Sequence, residues 1–338
     1  MDPEWRIEEA EFPRDGTLGE RIRFALRYAI LAPSSHNSQP WRFRVENDTV
    51  SLLADRTRAL PVVDPHDREL TISCGAALFN LLAGIAHHGM AATPDLLPTG
   101  AEPDLIARVR VADAPVADAE IARLAAAVPL RRTNRGAYGP IAVPDKTCDL
   151  LGAAARAEGV AAHMVADLEM RKRVAALVAR ADHAQFADPR FRRELAAWIH
   201  PARERDGMAA HALGVPRLLD FETRITAMVI RTFDLGDGVA ASDAELVAGS
   251  PLLLCLSTPR DDPPAWVQTG LALERVLLTA RLEGYDASYL NQPIEVPELR
   301  PELRNLLGTA PYPQILLRVG RGSAAAPAPR RGLGEVAL

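Results

Sequence analysis

The sequence predicts an α+β fold, and three observations carry that prediction. Segments with apolar residues three to four apart interleave with short apolar runs of strand length. The 338 residues, 48% hydrophobic and 25% charged, hold about two domains' worth of core. A glycine-bounded core helix also occurs twice. Gly75 to Met90 aligns on Gly270 to Tyr285 with identity at both bounding glycines and at Ala77/Ala272, Leu78/Leu273 and Leu82/Leu277. Downstream, Ile106 to Val109 sits over Leu316 to Val319. In a chain with 58 alanines two such helices also match by composition, so on these positions alone both readings stand.

The elements follow in order. Ile22, Ala25, Leu26, Ala29 and Ile30 mark one face of a helix over 18–31, with capping residues Asp15, Gly16 and Thr17 before it and Pro33 stopping it. Strands over 41–45 and 50–55 flank an Asn47-Asp48 turn and form a hairpin. A long core helix over 68–88 ends at Gly89, and a strand spans 105–111. Residues 112–129 form a linker with a short helix. Then come a helix over 144–158, a strand over 161–166, one long charged helical stretch over 167–199, and an apolar central strand over 251–257. A second core helix over 265–283 and a last strand over 314–319 complete the chain.

Composition excludes several functions. With 39 basic and 44 acidic residues the net charge is −5, so no bulk positive field is present for a nucleic-acid backbone. Only Lys146 and Lys172 are lysines, which leaves 37 arginines and lowers the weight of any single Arg. Cys74, Cys148 and Cys255 are scattered and form no CxxC pair, the usage of a reducing cytoplasm. The acidic N-terminus does not resemble a secretory signal. The longest apolar stretches, around 75–86 and 251–256, are shorter than a membrane span of about 20 residues. A soluble, cytoplasmic protein without nucleic-acid or membrane partners is expected.

Two segments carry candidate chemistry. The loop Ala32-Pro-Ser-Ser-His-Asn-Ser-Gln-Pro-Trp41 offers hydroxyls, an imidazole and amides able to line the edge of a planar heterocycle. Taken alone, a polar turn held by side-chain-to-backbone bonds explains it more economically. Arg131, Arg132, Thr133 and Arg135, with Arg330-Arg331 in the tail, suit a phosphate, because the guanidinium fork pairs two phosphate oxygens. A solvated basic patch explains them equally well. There is no Walker A sequence, nucleophile elbow or dinucleotide fingerprint. His87 and His88, adjacent on a helix, are expected to diverge and share no metal. Asp64-Pro65-His66-Asp67 offers cation ligands, although a helix N-cap is the more economical reading.

The segments 33–41, 131–135 and Gln292-Pro293-Ile294-Glu295 together resemble the flavin-binding motifs of the FMN-dependent nitroreductase superfamily. In ordinary members the arginine motif precedes the Asn-x-Gln-Pro-Trp loop, and two identical chains share each FMN. The reversed order here resembles the fused, two-lobed Acg-type branch. The resemblance implies two tandem pseudo-symmetric lobes with central antiparallel or mixed sheets, 1–128 and 129–338, one chain reproducing the usual homodimer around a single FMN. Further pairing of two such chains is left open.

By the same resemblance Arg131, Thr133, Arg330 and Arg331 bind the phosphate, with Arg132 beside them, and Arg135 lies at the pyrimidine edge of the ring. Ser34, Ser35, His36, Asn37 and Gln39 come from the other lobe, and the backbone of 292–295 faces flavin N5. An insertion over about 182–238, with Trp198, His200, Arg203, Arg205, Phe221 and Phe233, resembles a lid. The activity implied is electron transfer from NAD(P)H through FMN to a nitro, quinone or other small electron-poor acceptor. Its rival is a non-catalytic, flavin-sequestering protein whose lid blocks the nicotinamide.

Overall fold

The computed structural model describes residues 3–100, 102–116, 118–199, 205–208, 230–231, 236–308 and 311–338. Helix α1 (Leu18–Ala29) starts at a capping box: Thr17 Oγ1 accepts from Glu20 N, and the Glu20 carboxylate accepts from Thr17 N. Strands β1 (Trp41–Glu46) and β2 (Thr49–Ala54) pair antiparallel around Asn47, whose φ of 54° suits the tight turn. Helix α2 (Arg68–His87) is capped where Asp64 Oδ2 accepts from Leu70 N at 2.9 Å. It ends at Gly89 with φ 76°. Strands β3 (Ala91–Leu96) and β4 (Leu105–Ala112) complete a sheet of order β1-β2-β4-β3.

The second half repeats the plan. Helix α3 (Ala119–Leu124) lies in the connection, and α4 (Asp145–Ala157) precedes β5 (Ala161–Val165). Strand β6 (Leu252–Thr258), helix α8 (Pro263–Leu282), β7 (Asp286–Tyr289) and β8 (Tyr312–Gly320) follow. The sheet order β5-β6-β8-β7 matches the first strand for strand, and all pairings are antiparallel. Each second-to-fourth strand pairing has one register shift, at Leu52/Leu53 and at Leu256/Ser257. Where the first lobe turns at Asn47-Asp48, the second inserts α5 (Leu168–Ala187), α6 (Pro189–Ala197) and α7 (Gly236–Gly249) between β5 and β6. Helices α9 (Gln292–Glu295) and α10 (Arg300–Leu306) lie between β7 and β8, and α11 (Leu333–Val336) closes the tail.

Two expectations are corrected. The helical stretch over 167–199 is two helices, because Asp188 caps α6 by accepting from Arg190 N at 2.8 Å and Pro189 has no N–H to continue α5. The stretch around 75–86 belongs to α2, which by length and composition is able to cross a bilayer. Here α2 is instead a core helix, buried from Arg68 to Ala86. It packs against α8, and Val267, Leu271 and Leu278 of α8 join the first lobe's core, while Ile72 of α2 joins the second's. The tail also crosses back: Ala337 bridges Phe43 in parallel, and Val336 is buried in the first core. The segment after the linker does the reverse, with Thr133 bridging Ala287 beside β7.

Candidate functional site

The chain crossings enclose a cavity of about 1100 Å³ between the halves. Its walls come from the 33–37 loop, the 131–136 segment, residues 288–292 with Glu295, the tail up to Arg330, and the 182–246 insertion. Ser34, Ser35, His36, Asn37, Arg131, Arg132, Thr133, Arg135, Gln292, Glu295 and Arg330 all line it. Sequence positions nearly 300 apart therefore meet around one space. Gln39, Pro293, Ile294 and Arg331 are not among the lining residues.

The loop's backbone explains its polar sequence. His36, Asn37 and Gln39 have φ of 51°, 54° and 51°, a left-handed conformation that costs free energy in L-residues and has to be held by contacts. Gln39 N donates to Ser34 Oγ at 2.9 Å. Asn37 Nδ2 donates to the carbonyls of Gly207 and Pro329, each at 3.0 Å, and its Oδ1 accepts from Arg330 Nη1 at 2.7 Å. Gln39 is fully buried; its amide donates to Arg205 O at 2.9 Å and accepts from Arg331 N at 2.8 Å. Ser35 Oγ donates to Glu69 on α2.

The arginines divide by role. Arg331 donates to Gln39 O at 2.9 Å and to Glu335 O at 2.8 Å, with Asp55 at 3.7 Å, so it braces the loop from behind. Arg131 and Arg330 both reach the end of α1: Arg131 donates to Leu31 O at 3.1 Å, and Arg330 to Leu31 O and Ala32 O at 3.2 and 3.1 Å. Cations there complement the helix dipole. The guanidiniums of Arg132 and Arg330 lie over the Trp5 ring, 4.2 and 4.8 Å from its centroid. Arg135 is exposed at the cavity wall, its Nη2 3.7 Å from Met208 Sδ. Asn134 holds the segment by donating to Asp286 at 3.0 Å and Ser323 O at 2.8 Å.

Positive charge is crowded here. Burial, then Arg131 and Arg281, push Arg132 down to about 10. Arg131 faces the fully buried Glu274 at 3.4 Å. Burial pushes that carboxyl up to about 7 despite the guanidinium, so it is a poor counter-charge near neutrality. Burial and then Arg135 push His36 down to about 4, leaving a neutral imidazole. Glu295 is raised by burial and by Glu69 beside it. Clustered guanidiniums at one end and Trp5, Phe186, Phe191 and Leu273 along the walls fit a ligand with a phosphate and a planar ring. FMN meets that description.

Sequence reasoning missed Trp5, Glu69, Asn134 and Glu274. Trp5 and Asn134 carry no local signal. Glu274 stands inside an apolar run, at the position of Phe79 in the aligned first copy, which marks it in retrospect. Within the insertion, His200, Arg203, Phe221 and Phe233 lie outside the described residues. Trp198 lies under Arg58 at 5.4 Å from its ring centroid, and Arg58 also pairs with Asp206. Arg205 donates to Glu335 at 2.8 Å. Phe186, Phe191, Leu195, Met208 and Ile230 face the cavity and pack with Leu60 and Val63 of the first lobe, so the described residues of the insertion form one wall of the site.

Two four-stranded antiparallel sheets of one order, in two halves that both contribute residues to one cavity, define a two-lobed α+β protein. The chain is 33% identical over 323 residues to "Putative NAD(P)H nitroreductase Rv3131" of Mycobacterium tuberculosis, covering 94% of this chain and 91% of that protein. It is 30% identical over 301 residues to "Putative NAD(P)H nitroreductase acg" of the same organism, with 88% of each covered. The FMN-dependent nitroreductase NfnB from Mycobacterium smegmatis, solved with NADPH, aligns at 20% identity over 64% of this chain and 97% of its own, with a TM-score of 0.41. No protein-family model matches. The chain belongs to the NAD(P)H nitroreductase family, in the branch that includes acg.

Proposed function

We propose that the protein is an FMN-dependent oxidoreductase that passes electrons from NAD(P)H to a nitro, quinone or similar small electron-poor acceptor. The observation that carries this reading is the convergence of the 33–37 loop, the 131–135 segment and Arg330 on one cavity, within a family named for NAD(P)H-dependent nitro reduction. Bound FMN supplies the ability to take up and release two electrons as a hydride equivalent.

The protein's own residues bind, orient and dry the site. Arg131, Arg132, Thr133 and Arg330 would hold the phosphate. Arg135 would serve the pyrimidine edge, since a cation stabilises negative charge more strongly as water is excluded. Ser34, Ser35, His36 and Asn37 would bind the ring from the other lobe, with Gln292 and Glu295 on the side beside β7. Gln39 and Arg331 act at one remove, holding the loop and tail together. Phe186, Phe191 and Leu195 exclude water. One FMN per chain and a monomer by fusion belong to the same reading, as does a reducing cytoplasmic location, in keeping with the three free cysteines.

The test is the visible spectrum of the purified protein, followed by anaerobic mixing with NADH and NADPH. A flavin band that bleaches with either donor supports the oxidoreductase. A colourless protein that gains no thermal stability from added FMN rejects flavin binding altogether, because a ligand of the native state alone raises Tm. A second reading, flavin sequestration, is favoured by the insertion's apolar residues on the cavity wall. It predicts bound FMN that neither nicotinamide bleaches.

A further inference from the structure

Outside the cavity, a second cluster joins the N-terminal segment to the end of α2. Neighbours on a regular helix point about 100° apart. His88, however, is the C-cap of α2 with φ −89° and ψ 17°, and its ring turns back beside that of His87, with centroids 4.9 Å apart. Glu9 lies opposite both. His87 Nε2 is 3.2 Å from Glu9 Oε1, His88 Nδ1 is 4.0 Å from Glu9 Oε2, and one donor atom from each residue fits within 4.8 Å of the others.

We propose that Glu9, His87 and His88 form a binding site for one divalent first-row transition ion of the zinc class. Two imidazoles and one carboxylate are a donor set suited to such an ion, and an exposed side leaves water a coordination position. Donor atoms on a tetrahedral zinc lie about 3.3 Å apart, given bonds of about 2.0–2.1 Å. The Glu9–His87 pair already has that spacing, and His88 closes the set by a short movement. The donors are pre-positioned by their neighbours. The His88 ring stacks on Phe12 with centroids 3.8 Å apart and planes 5° from parallel, and Tyr28 Oη donates to Glu9 Oε1 at 2.8 Å. The C-terminal end of α2 adds the negative end of a helix dipole facing the ion. The site stands independently of the flavin reading, although Glu9 and the cavity residue Trp5 share one short N-terminal segment.

The test is calorimetric titration of the untagged full chain with zinc, with magnesium as the hard-cation control, on wild type, Glu9→Gln, His87→Ala and the exposed control His66→Ala. Circular dichroism of each variant establishes folding. The expected result is one zinc per chain, no magnesium heat, unchanged binding in His66→Ala, and affinity lowered about tenfold or more in Glu9→Gln and His87→Ala, at least the loss typical for a supporting partner of a metal ligand. Cobalt bound at the site shows d–d absorption that His87→Ala alters. Absence of zinc binding, or binding equally tight in both site variants, overturns the proposal.

Discussion

The backbone of Gly270 in α8 lies directly against that of Gly75 in α2. A Cβ on Gly270 would stand 2.6 Å from Gly75 Cα and 2.1 Å from Ile72 O, and a Cβ on Gly75 would stand 2.5 Å from Val267 O. The glycines that head the two aligned helix copies are thus where those helices cross, and the crossing lets each helix enter the other lobe's core. Gly270→Ala is expected to cost about 3 kcal/mol or more, since the clash is with backbone that has no rotamer to yield. Gly249→Ala, with nothing within 4 Å of its Cβ position, is expected to stay within about 1 kcal/mol of wild type. Urea unfolding of both variants compares them directly.

Glu274 gives the fold a pH dependence of known sign. Its folded pKa is raised to about 7, so the folded state holds a proton that the unfolded chain releases at ordinary carboxylate values. That contribution is complete below the unfolded pKa and is lost as pH rises through about 7. Glu274→Gln is therefore expected to match wild type in Tm near pH 5 and to exceed it increasingly toward pH 8. A Tm difference that stays constant across that range contradicts the assignment.

Asn37 ties three chain segments with one amide. Asn37→Ala leaves the Gly207 and Pro329 carbonyls and the Arg330 guanidinium short of a partner, and it places alanine at a φ of 54°. A loss of about 2 kcal/mol in stability is expected, with FMN affinity reduced because Arg330 loses one of its anchors. Fluorescence titration with FMN alongside thermal unfolding reads both effects.

Trp5 lies beneath two guanidiniums, and its Nε1 donates to Ala328 O at 2.7 Å. Trp5→Ala removes the ring and the bond, and Trp5→Phe keeps an aromatic face while losing the donor. FMN affinity is expected to fall by about tenfold in the first, given roughly 0.5–2 kcal/mol per cation–π contact, and by less in the second. Equal affinities in the two variants would assign the effect to the hydrogen bond alone.

Local patterning made much of the fold legible. The hairpin, both core helices and the apolar strands β6 and β8 show in spacing and composition because burial imposes them residue by residue. Strands β3 and β7 were not expected: β3 is a half-exposed edge strand reading Ala-Ala-Thr-Pro-Asp-Leu, and β7 has four residues. Neither has the alternation that a longer, half-buried strand would show. The break at Pro189 sits in a pattern that is helical on both sides, so spacing alone reads through it.

The candidate site was named from motifs, yet its division of labour was not readable there. From the sequence, Asn37 and Gln39 look alike, as do Arg330 and Arg331. In the fold Asn37 and Arg330 line the cavity, whereas Gln39 and Arg331 bond to each other behind it. Chain order established which residue types were available and that an anion and a planar ring suited them. Which of them face the cavity, that Trp5 and Glu274 join them, and that His87 and His88 converge on Glu9 were decided by tertiary packing. These contacts join residues far apart in sequence, and their energies depend on burial and mutual distance, which local spacing does not encode.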